Sequence, residues 1–251
     1  MLKDRWRFLR YEANDAATNM ALDDAIAEAV KFRIAGPTIR FYGWEPAAVS
    51  IGRFQDLEEV VDMEQCQKLG VDVVRRSTGG GAVFHDSGKE VTYSVICPEE
   101  MMPQDINEAY REIGGWVVNA LKLIGIDSTF EPINDVMVNG KKISGSAQSR
   151  RQGIFLQHGT LMFDLDRIRM FSVLRVPPEK SRAQGLEAPA ERVTSVREQK
   201  KVPWEFVVAA MANAFIMNKQ WYIGDLTQDE LARAELISRE RYSNADWMRG
   251  L

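Results

Sequence analysis

The hydrophobic positions in the first part of the chain follow two periods, one typical of a helix and one typical of strands. Between residues 20 and 30 they recur every three or four positions, and Asn14 or Asp15 just before them can cap a helix. We therefore predict a helix that ends before Gly36-Pro37. The neighbouring runs of β-rich or apolar residues predict strands at 6–9, 38–42, 48–52 and 71–75, a short helix at 57–69, and a hairpin formed by 82–85 and 91–96.

The second part of the chain continues this mixture. Residues 106–124 have apolar positions at helical spacing and are followed by Gly125, which predicts an amphipathic helix over one sheet face. The turn pair Asn139-Gly140 joins the β-rich runs 135–138 and 142–146 and is the strongest hairpin signal in the chain. The remaining predictions are a strand at 160–165, a mobile loop or lid at 177–201, and helices at 204–218 and from a capping box at Thr227 to about residue 242.

Strands outnumber helices in the first two thirds of the chain, but helices are interspersed among them. This order predicts an α+β fold with a mixed, largely antiparallel sheet flanked by helices, rather than a regular parallel βαβ array. A length of 251 residues with 45% hydrophobic content is enough for one sizeable core, so we expect a single domain over residues 1–251.

The charge and the cysteine content argue against several classes of protein. A net charge of -4 gives no global basic field, so we expect no nucleic-acid partner. The N-terminus is charged throughout and no stretch approaches about 18 uninterrupted apolar residues, so we expect no signal peptide, no membrane span and a cytoplasmic location. Cys66 and Cys97 lie far apart and outside any Cys/His cluster, which argues against a metal site or a disulfide framework.

Candidate chemistry concentrates in the three glycines 79–81, which directly follow Arg75, Arg76 and two hydroxyl residues. Consecutive glycines allow unusual backbone angles or a close approach, and successive N–H groups beside arginines can bind a phosphate. The run matches neither a P-loop nor a dinucleotide fingerprint, because the required glycine positions are occupied by Val83 and Phe84 respectively. A tight strand connection with surface arginines is an alternative of about equal weight.

The run Arg75-Arg76-Ser77-Thr78-Gly79-Gly80-Gly81-Ala82-Val83-Phe84-His85-Asp86 resembles the signature of the lipoate protein ligase A family. A second block, Asn134-Asp135-Val136 followed by Lys141-Lys142-Ile143-Ser144-Gly145-Ser146-Ala147-Gln148, is similar to that family's second signature, and His158-Gly159-Thr160-Leu161 continues it. The resemblance extends from about residue 40 to residue 196. It implies the catalytic-domain fold of the biotin and lipoate protein ligases, without the C-terminal accessory domain that many lipoate ligases carry.

The resemblance also implies an activity. Such ligases use ATP and Mg²⁺ to convert lipoate to lipoyl-AMP, and then transfer the lipoyl group to a lysine of a lipoyl-domain acceptor, namely 2-oxoacid dehydrogenase E2 subunits or the glycine cleavage H protein. Lys142 would be the catalytic cation, since a fixed positive charge stabilises charge that develops during the reaction. Asp135 would bind the metal or the nucleotide. The implied binding set for lipoate and the acyl-adenylate is Arg75, Arg76, Thr78, Gly79, Gly80, Gly81, Ala82, His85, Asn134, Asp135, Gly145, Ser146, Ala147, His158 and Gly159.

Other functions stay open at this point. Related octanoyl transferases act without ATP and hold the acyl group on a cysteine just upstream of the block that contains Lys142, but residues 130–135 contain no cysteine here. That difference favours a ligase over an octanoyl or lipoyl transferase. A non-catalytic lipoyl- or nucleotide-binding subunit and a biotin ligase are further alternatives. Because the accessory domain is expected to be absent, we also expect a separate accessory subunit or a chain that is inactive alone.

Overall fold

The computed structural model describes residues 5–175 and 189–250. Its strands are β1 (Trp6–Asn14), β2 (Thr38–Trp44), β3 (Ala48–Ile51), β4 (Asp72–Arg75), β5 (Val83–His85), β6 (Glu90–Pro98), β7 (Thr129–Glu131), β8 (Asp135–Val138), β9 (Lys141–Arg151), β10 (Ile154–Met162) and β11 (Trp221–Gly224). Its α-helices are α1 (Ala16–Lys31), α2 (Leu57–Val60), α3 (Met63–Lys68), α4 (Ile106–Leu123), α5 (Arg167–Val173), α6 (Val196–Gln199), α7 (Trp204–Ile216), α8 (Gln228–Ile237) and α9 (Ala245–Arg249). Short 3₁₀-helices at Glu99–Met101 and Pro189–Arg192 and a π-helix at Ser238–Tyr242 complete the set.

The strands form two sheets. The large sheet has eight strands in the order β11-β1-β2-β6-β10-β9-β8-β7, and the small sheet has three in the order β4-β3-β5. In the large sheet the pairs β11–β1 and β1–β2 are parallel and every other pair is antiparallel. The predicted α+β fold with a mixed, largely antiparallel sheet is therefore confirmed.

Helices cover both faces of the large sheet. On one face α4 and α7 pack against alternate strand residues such as Phe41 and Tyr93, and this layer forms the largest apolar core. On the other face α1 and α8 pack against Tyr42 and Trp44. The small sheet lies on this second side, with α3 and α5 packed on it around Cys66 and Met170. A space between the two sheets results.

Side-chain caps fix where the long helices begin. Asp15 accepts a hydrogen bond from the Thr18 N–H at 2.8 Å and starts α1, as predicted. Thr227 and Glu230 form the predicted capping box at the start of α8. Glu230 also pairs with the buried Arg7 of β1 at 2.5 Å, which fixes α8 to the large sheet.

Several predicted elements differ from those observed. Residues 82–85 and 91–96 do not form a hairpin, because β5 pairs with β3 whereas β6 pairs with β2 and β10 in the other sheet. The predicted helix at 57–69 is two helices. The Asp62 side chain accepts a hydrogen bond from the Gln65 N–H and so caps the second of them, α3. The pattern missed β7, β11, α5 and α9.

The predicted lid at 177–201 falls partly outside the residues that the structure describes, because 176–188 are not among them. Its described part, from 189 onward, holds a 3₁₀-helix and α6. Within 5–175 and 189–250, no helix combines the length and the apolar character needed to cross a membrane.

Candidate functional site

A cavity of about 370 Å³ lies between the large and the small sheet. β6, β9 and β10 supply one wall, the glycine run with β3 and β5 supplies another, and α5 adds apolar side chains. Most of the predicted binding set lines it, together with the predicted catalytic lysine; these lining residues are Arg76, Gly80, Gly81, Ala82, His85, Asn134, Lys142, Gly145, Ser146, Ala147, His158 and Gly159. The two sequence blocks that are far apart in the chain therefore meet at one cavity.

A β-bulge brings Lys142 to the same sheet face as Asp135. Asp135 pairs directly with Gly145, but between Val136 and Met137 the register shifts by one residue, so that Met137 pairs with Lys142. Because side chains alternate along a strand, one extra residue moves the lysine to the other face. Its Nζ then forms an ion pair with Asp135 Oδ1 at 2.7 Å.

Gly145 leaves the space that the lysine side chain occupies. A Cβ at this position would lie 2.5 Å from both Lys142 Cε and Nζ, and 3.3 Å from Asp135 Oδ1. The lysine and aspartate side chains are 37% and 32% exposed, although the paired oxygen Asp135 Oδ1 is itself buried. Asn134 is held beside it, because its Nδ2 donates to the Ser146 carbonyl at 2.5 Å and its own carbonyl accepts from the Ser146 N–H at 3.1 Å.

Arg76 fixes the glycine run from behind. Its buried guanidinium donates to the carbonyls of Gly79 and Gly81, both at 2.7 Å, and to the carbonyl of Ser50 at 2.9 Å. Its Nε donates to Thr78 Oγ1 at 3.2 Å. Burial lowers the pKa of Arg76 to about 10, so the group stays charged at neutral pH. Several of its donors are thus used on the loop itself.

Arg75 does not line the cavity. Its buried guanidinium instead donates to the carbonyls of Gln55 at 2.6 Å and Met248 at 2.8 Å. Thr78, Gly79 and Asp135 are also outside the lining, although Thr78 and Asp135 each contact a residue that lines it. Phosphate binding by Arg75 stays a prediction, and its contacts in this conformation fix the fold.

A buried network connects the glycine run to β10 and α1. His158 Nε2 lies 2.7 Å from Thr78 Oγ1, and its Nδ1 lies 3.3 Å from Asp23 Oδ2. Asp23 also accepts from Arg40 at 3.0 Å and Ser94 at 2.6 Å. Burial by itself would raise the pKa of Asp23, but the hydrogen bonds and the charge of Arg40 hold it below its usual value. Burial lowers the pKa of His158, so the imidazole is neutral at neutral pH.

His85 belongs to a second buried network at the cavity wall. Its Nε2 lies 2.8 Å from Ser50 Oγ and its Nδ1 lies 2.6 Å from Glu90 Oε1. The imidazole stacks on Trp44 with ring centroids 4.0 Å apart. Both histidines therefore have partners on both ring nitrogens.

Neither cysteine reaches the cavity. Cys66 is buried in α3 below the small sheet and Cys97 is buried in β6 on the α4 side of the large sheet. Burial raises the pKa of the Cys66 thiol to about 11 and that of Cys97 to about 12. Both thiols are protonated at neutral pH, which is the inert state of cysteine.

Sequence reasoning missed two groups of site residues. One is the polar set Asp23, Ser50, Glu90 and Thr92; the other is the hydrophobic set, in which Met20, Met162 and Met170 stand beside Tyr42 and Trp44. An apolar residue on a strand has the same pattern whether it faces a cavity or the core. The polar members sit inside β-rich or helical runs, and the only available signal was a polar residue at a position expected to be buried.

The described residues offer no ready magnesium site. Among residues 5–175 and 189–250, no group of three or more His, Cys, Asp or Glu side chains could hold a metal ion. The predicted ligand Asp135 is paired with Lys142 instead.

Comparison with known proteins identifies the family to which this fold and cavity belong. The family described as the lipoyl protein ligase A/B catalytic domain matches residues 15–216. The chain belongs to this family, as its motifs predicted, and it is an enzyme of the lipoyl and octanoyl ligase and transferase group.

The relatives divide between two activities. The octanoyltransferase LipM of Brevibacillus brevis is 32% identical, covering 97% of this chain and 98% of the relative. The bi-partite lipoate protein ligase of Thermoplasma acidophilum, described together with its E2 lipoyl domain, is 31% identical with a TM-score of 0.86, covering 98% of this chain and 97% of the other. A lipoate-protein ligase A bound with ATP is 30% identical with a TM-score of 0.86, covering 98% and 99%. The curated relatives thus favour the transferase alternative over the ATP-dependent ligase that the sequence analysis put first.

Proposed function

We propose that the chain transfers a medium-chain acyl group, octanoyl or lipoyl, to a lysine of a lipoyl-domain acceptor protein, without forming a thioester on the enzyme. One observation carries this proposal. Lys142, which is paired with Asp135, lines the cavity, while both cysteines are buried away from it with raised pKa values. The E2 lipoyl domain described as belonging to the Thermoplasma acidophilum ligase supports E2 proteins as acceptors, and the H protein is a second expected acceptor.

Lys142 supplies the electrostatic part of the proposed reaction. The neutral amine of the acceptor lysine attacks the acyl carbonyl, and the carbonyl oxygen becomes negative. The bond from the acyl carbon to the leaving group, a carrier thiol or AMP, then breaks, and the amine proton is lost with that leaving group as the amide forms. A positioned ammonium next to the developing oxyanion lowers the barrier more than a mobile ion in water does. The ion pair with Asp135 holds the lysine side chain over Gly145. The glycine run with Arg76 forms the opposite wall of the cavity.

The acyl donor separates two versions of this function. Transfer from an octanoyl donor without ATP is favoured by the curated octanoyltransferase relatives. ATP-dependent activation of lipoate through lipoyl-AMP is favoured by the site, which lacks a thiol, and by the solved ligases of the same fold. Incubation of the chain and an E2 lipoyl domain with either octanoyl-carrier thioester or lipoate plus ATP, followed by intact-mass measurement of the acceptor, decides between them.

The absence of an enzyme thioester has its own test. We expect the Cys66→Ala/Cys97→Ala variant to transfer the acyl group at the rate of the unchanged chain, because neither thiol lies at the cavity. The measurement is single-turnover acyl transfer, with circular dichroism to establish that the variant is folded. Loss of transfer in a folded double variant would show that a cysteine carries the acyl group and would refute the proposal.

A separate accessory subunit stays a prediction, and the bi-partite ligase of Thermoplasma acidophilum supports it. The assays therefore use the chain by itself first. Full ATP-dependent activity of the isolated chain would remove the need for such a partner.

A further inference from the structure

α9 covers an open edge of the small sheet at the residue that leads into the glycine run. β4 is an edge strand, and Arg75 is its last residue. The Arg75 N–H donates to Met248 Sδ at 3.2 Å, and the Arg75 carbonyl accepts from Trp247 Nε1 at 2.8 Å. Both backbone groups that the missing neighbour strand would have paired are therefore paired by α9.

The Arg75 side chain carries this contact further. Its Nε and Nη2 donate to the Met248 carbonyl at 3.1 and 2.8 Å, while its Nη1 donates to the carbonyls of Arg53 at 3.1 Å and Gln55 at 2.6 Å. A planar guanidinium can join two backbone segments in this way because its donors point in several fixed directions. Arg75 thus connects α9 to the loop 52–55.

The loop 52–55 in turn supports the glycine run. The Arg53 N–H donates to the Thr78 carbonyl at 2.8 Å, and a Cβ at Gly52 would lie 2.0 Å from the Gly80 carbonyl oxygen. The Arg53 guanidinium lies 3.8 Å from the centre of the Trp247 ring, so the same loop also touches α9 directly. Displacement of α9 would therefore remove support from the backbone that forms one cavity wall.

A second contact ties the segment before α9 to the same place. Tyr242 donates to Asp24 Oδ2 at 2.6 Å and Arg241 pairs with the same oxygen, while Ser77 of the motif donates to Asp24 Oδ1 at 3.4 Å. Asp24 of α1 thus contacts both the motif and the segment that runs from the π-helix to α9.

We propose that α9 is a positioning element of the acyl-transfer site, and that Trp247 and Met248 act through Arg75 to hold the glycine run in its cavity-forming conformation. Only the kinetic part of the test rests on the proposed function. The consequence is that the cavity wall formed by the glycine run depends on contacts with residues that lie far along the chain from it.

The test compares Trp247→Ala and Trp247→Phe with Arg249→Ala in the full chain. Arg249 is an exposed residue of the same helix, so its removal perturbs α9 without touching Arg75. We expect amides 76–81 of Trp247→Ala to exchange hydrogen on the order of tenfold faster than in the unchanged chain. We expect kcat/KM for the acyl donor to fall on the order of tenfold, mainly through KM. Trp247→Phe keeps an aromatic ring beside Arg53 but loses the indole N–H donor. Its exchange rates and its kcat/KM should therefore lie between those of Trp247→Ala and the unchanged chain.

The controls separate positioning from general destabilisation. If Trp247→Ala does not fold at the assay temperature, the comparison of Trp247→Phe with Arg249→Ala replaces it. Faster exchange confined to α9, with amides 76–81 as protected as in Arg249→Ala, would overturn the proposal. If the unchanged chain transfers no acyl group, the proposed function fails, but the exchange measurement still decides the role of α9.

Discussion

The two walls of the cavity hold their cations in opposite ways. On the glycine-run side, Arg75 and Arg76 are 2% and 4% exposed and their guanidinium groups bond to backbone carbonyls. On the strand side, Lys142 is 37% exposed and its amine makes one ion pair with Asp135. The difference follows from the side chains, because a guanidinium has five donors in a fixed plane whereas an ammonium is a compact charge on a flexible stem. We infer that the arginines build the site and that the lysine serves the chemistry.

The largest expected effect comes from exchanging each cation for methionine. Lys142→Met should lower the rate of acyl transfer on the order of 10²- to 10³-fold, since one preorganised charge at the oxyanion is lost. Its unfolding free energy should change by no more than about 0.5 kcal/mol, because the residue is partly exposed. Arg76→Met should instead lower the unfolding free energy on the order of 3 kcal/mol, as buried carbonyls lose their donors.

Urea unfolding and single-turnover transfer, measured on both variants, test this division. A Lys142→Met protein that transfers at the unchanged rate would exclude the role proposed for the lysine. An Arg76→Met protein with unchanged stability would exclude the structural role of the arginine.

The second prediction addresses the path of the lysine side chain. Gly145→Ala should fold, because the added methyl meets the movable end of Lys142, but the amine must leave its place beside Asp135. We expect acyl transfer to fall on the order of tenfold through this misplacement. Gly115→Ala is the matched control: the new methyl meets open space within α4, so stability should rise by about 0.5–1 kcal/mol. Equal activity of the two variants would show that Gly145 is not needed to place the amine.

The outcome at Lys142 also shows how far the sequence could predict the site. The Asn139-Gly140 turn and the strands beside it were predicted correctly, and so was the catalytic-domain family. Most of the predicted site residues line the cavity, but they make up fewer than half of its lining. The bulge that turns Lys142 toward Asp135 was not predictable, because a one-residue register shift leaves no mark in the alternation of polar and apolar residues.

The fold was predictable to a similar depth. Helices with local signals, such as the caps of α1 and α8, were found at their correct starts. The supposed hairpin of β5 and β6 failed because the choice of sheet depends on long-range pairing, and the short turn at 86–89 fits either arrangement. Arg75 and Arg76 show the same limit of local patterns. No local pattern distinguishes a buried guanidinium that donates to backbone carbonyls from one that is free to bind a phosphate.

The smallest expected effect concerns His158, which joins the two walls because it lies on β10 and contacts Thr78 of the glycine run. Thr78 Oγ1 accepts from Arg76, so its own proton can be donated to His158 Nε2 only while that nitrogen carries no proton. Burial lowers the pKa of His158 in the folded chain below the value of about 6.5 in the unfolded chain. The unfolded state then binds the proton more readily. The stability contributed by neutral His158 is therefore complete above about pH 6.5 and is lost as the pH falls through the folded pKa.

Urea unfolding between about pH 7.5 and 5 of the unchanged chain and of His158→Gln measures this contribution. The unchanged chain should lose stability more steeply, by at most about 1.4 kcal/mol per pH unit for one proton. His85, the other histidine of the chain, is unchanged in both proteins, so the difference between the two curves reports on position 158. Parallel curves would mean that His158 can be protonated without disturbing Thr78. His158 would then join the two walls by packing rather than by a directed hydrogen bond. The contrast between the buried arginine of the glycine-run side and the partly exposed lysine of the strand side would rest on Arg76 and Lys142 alone.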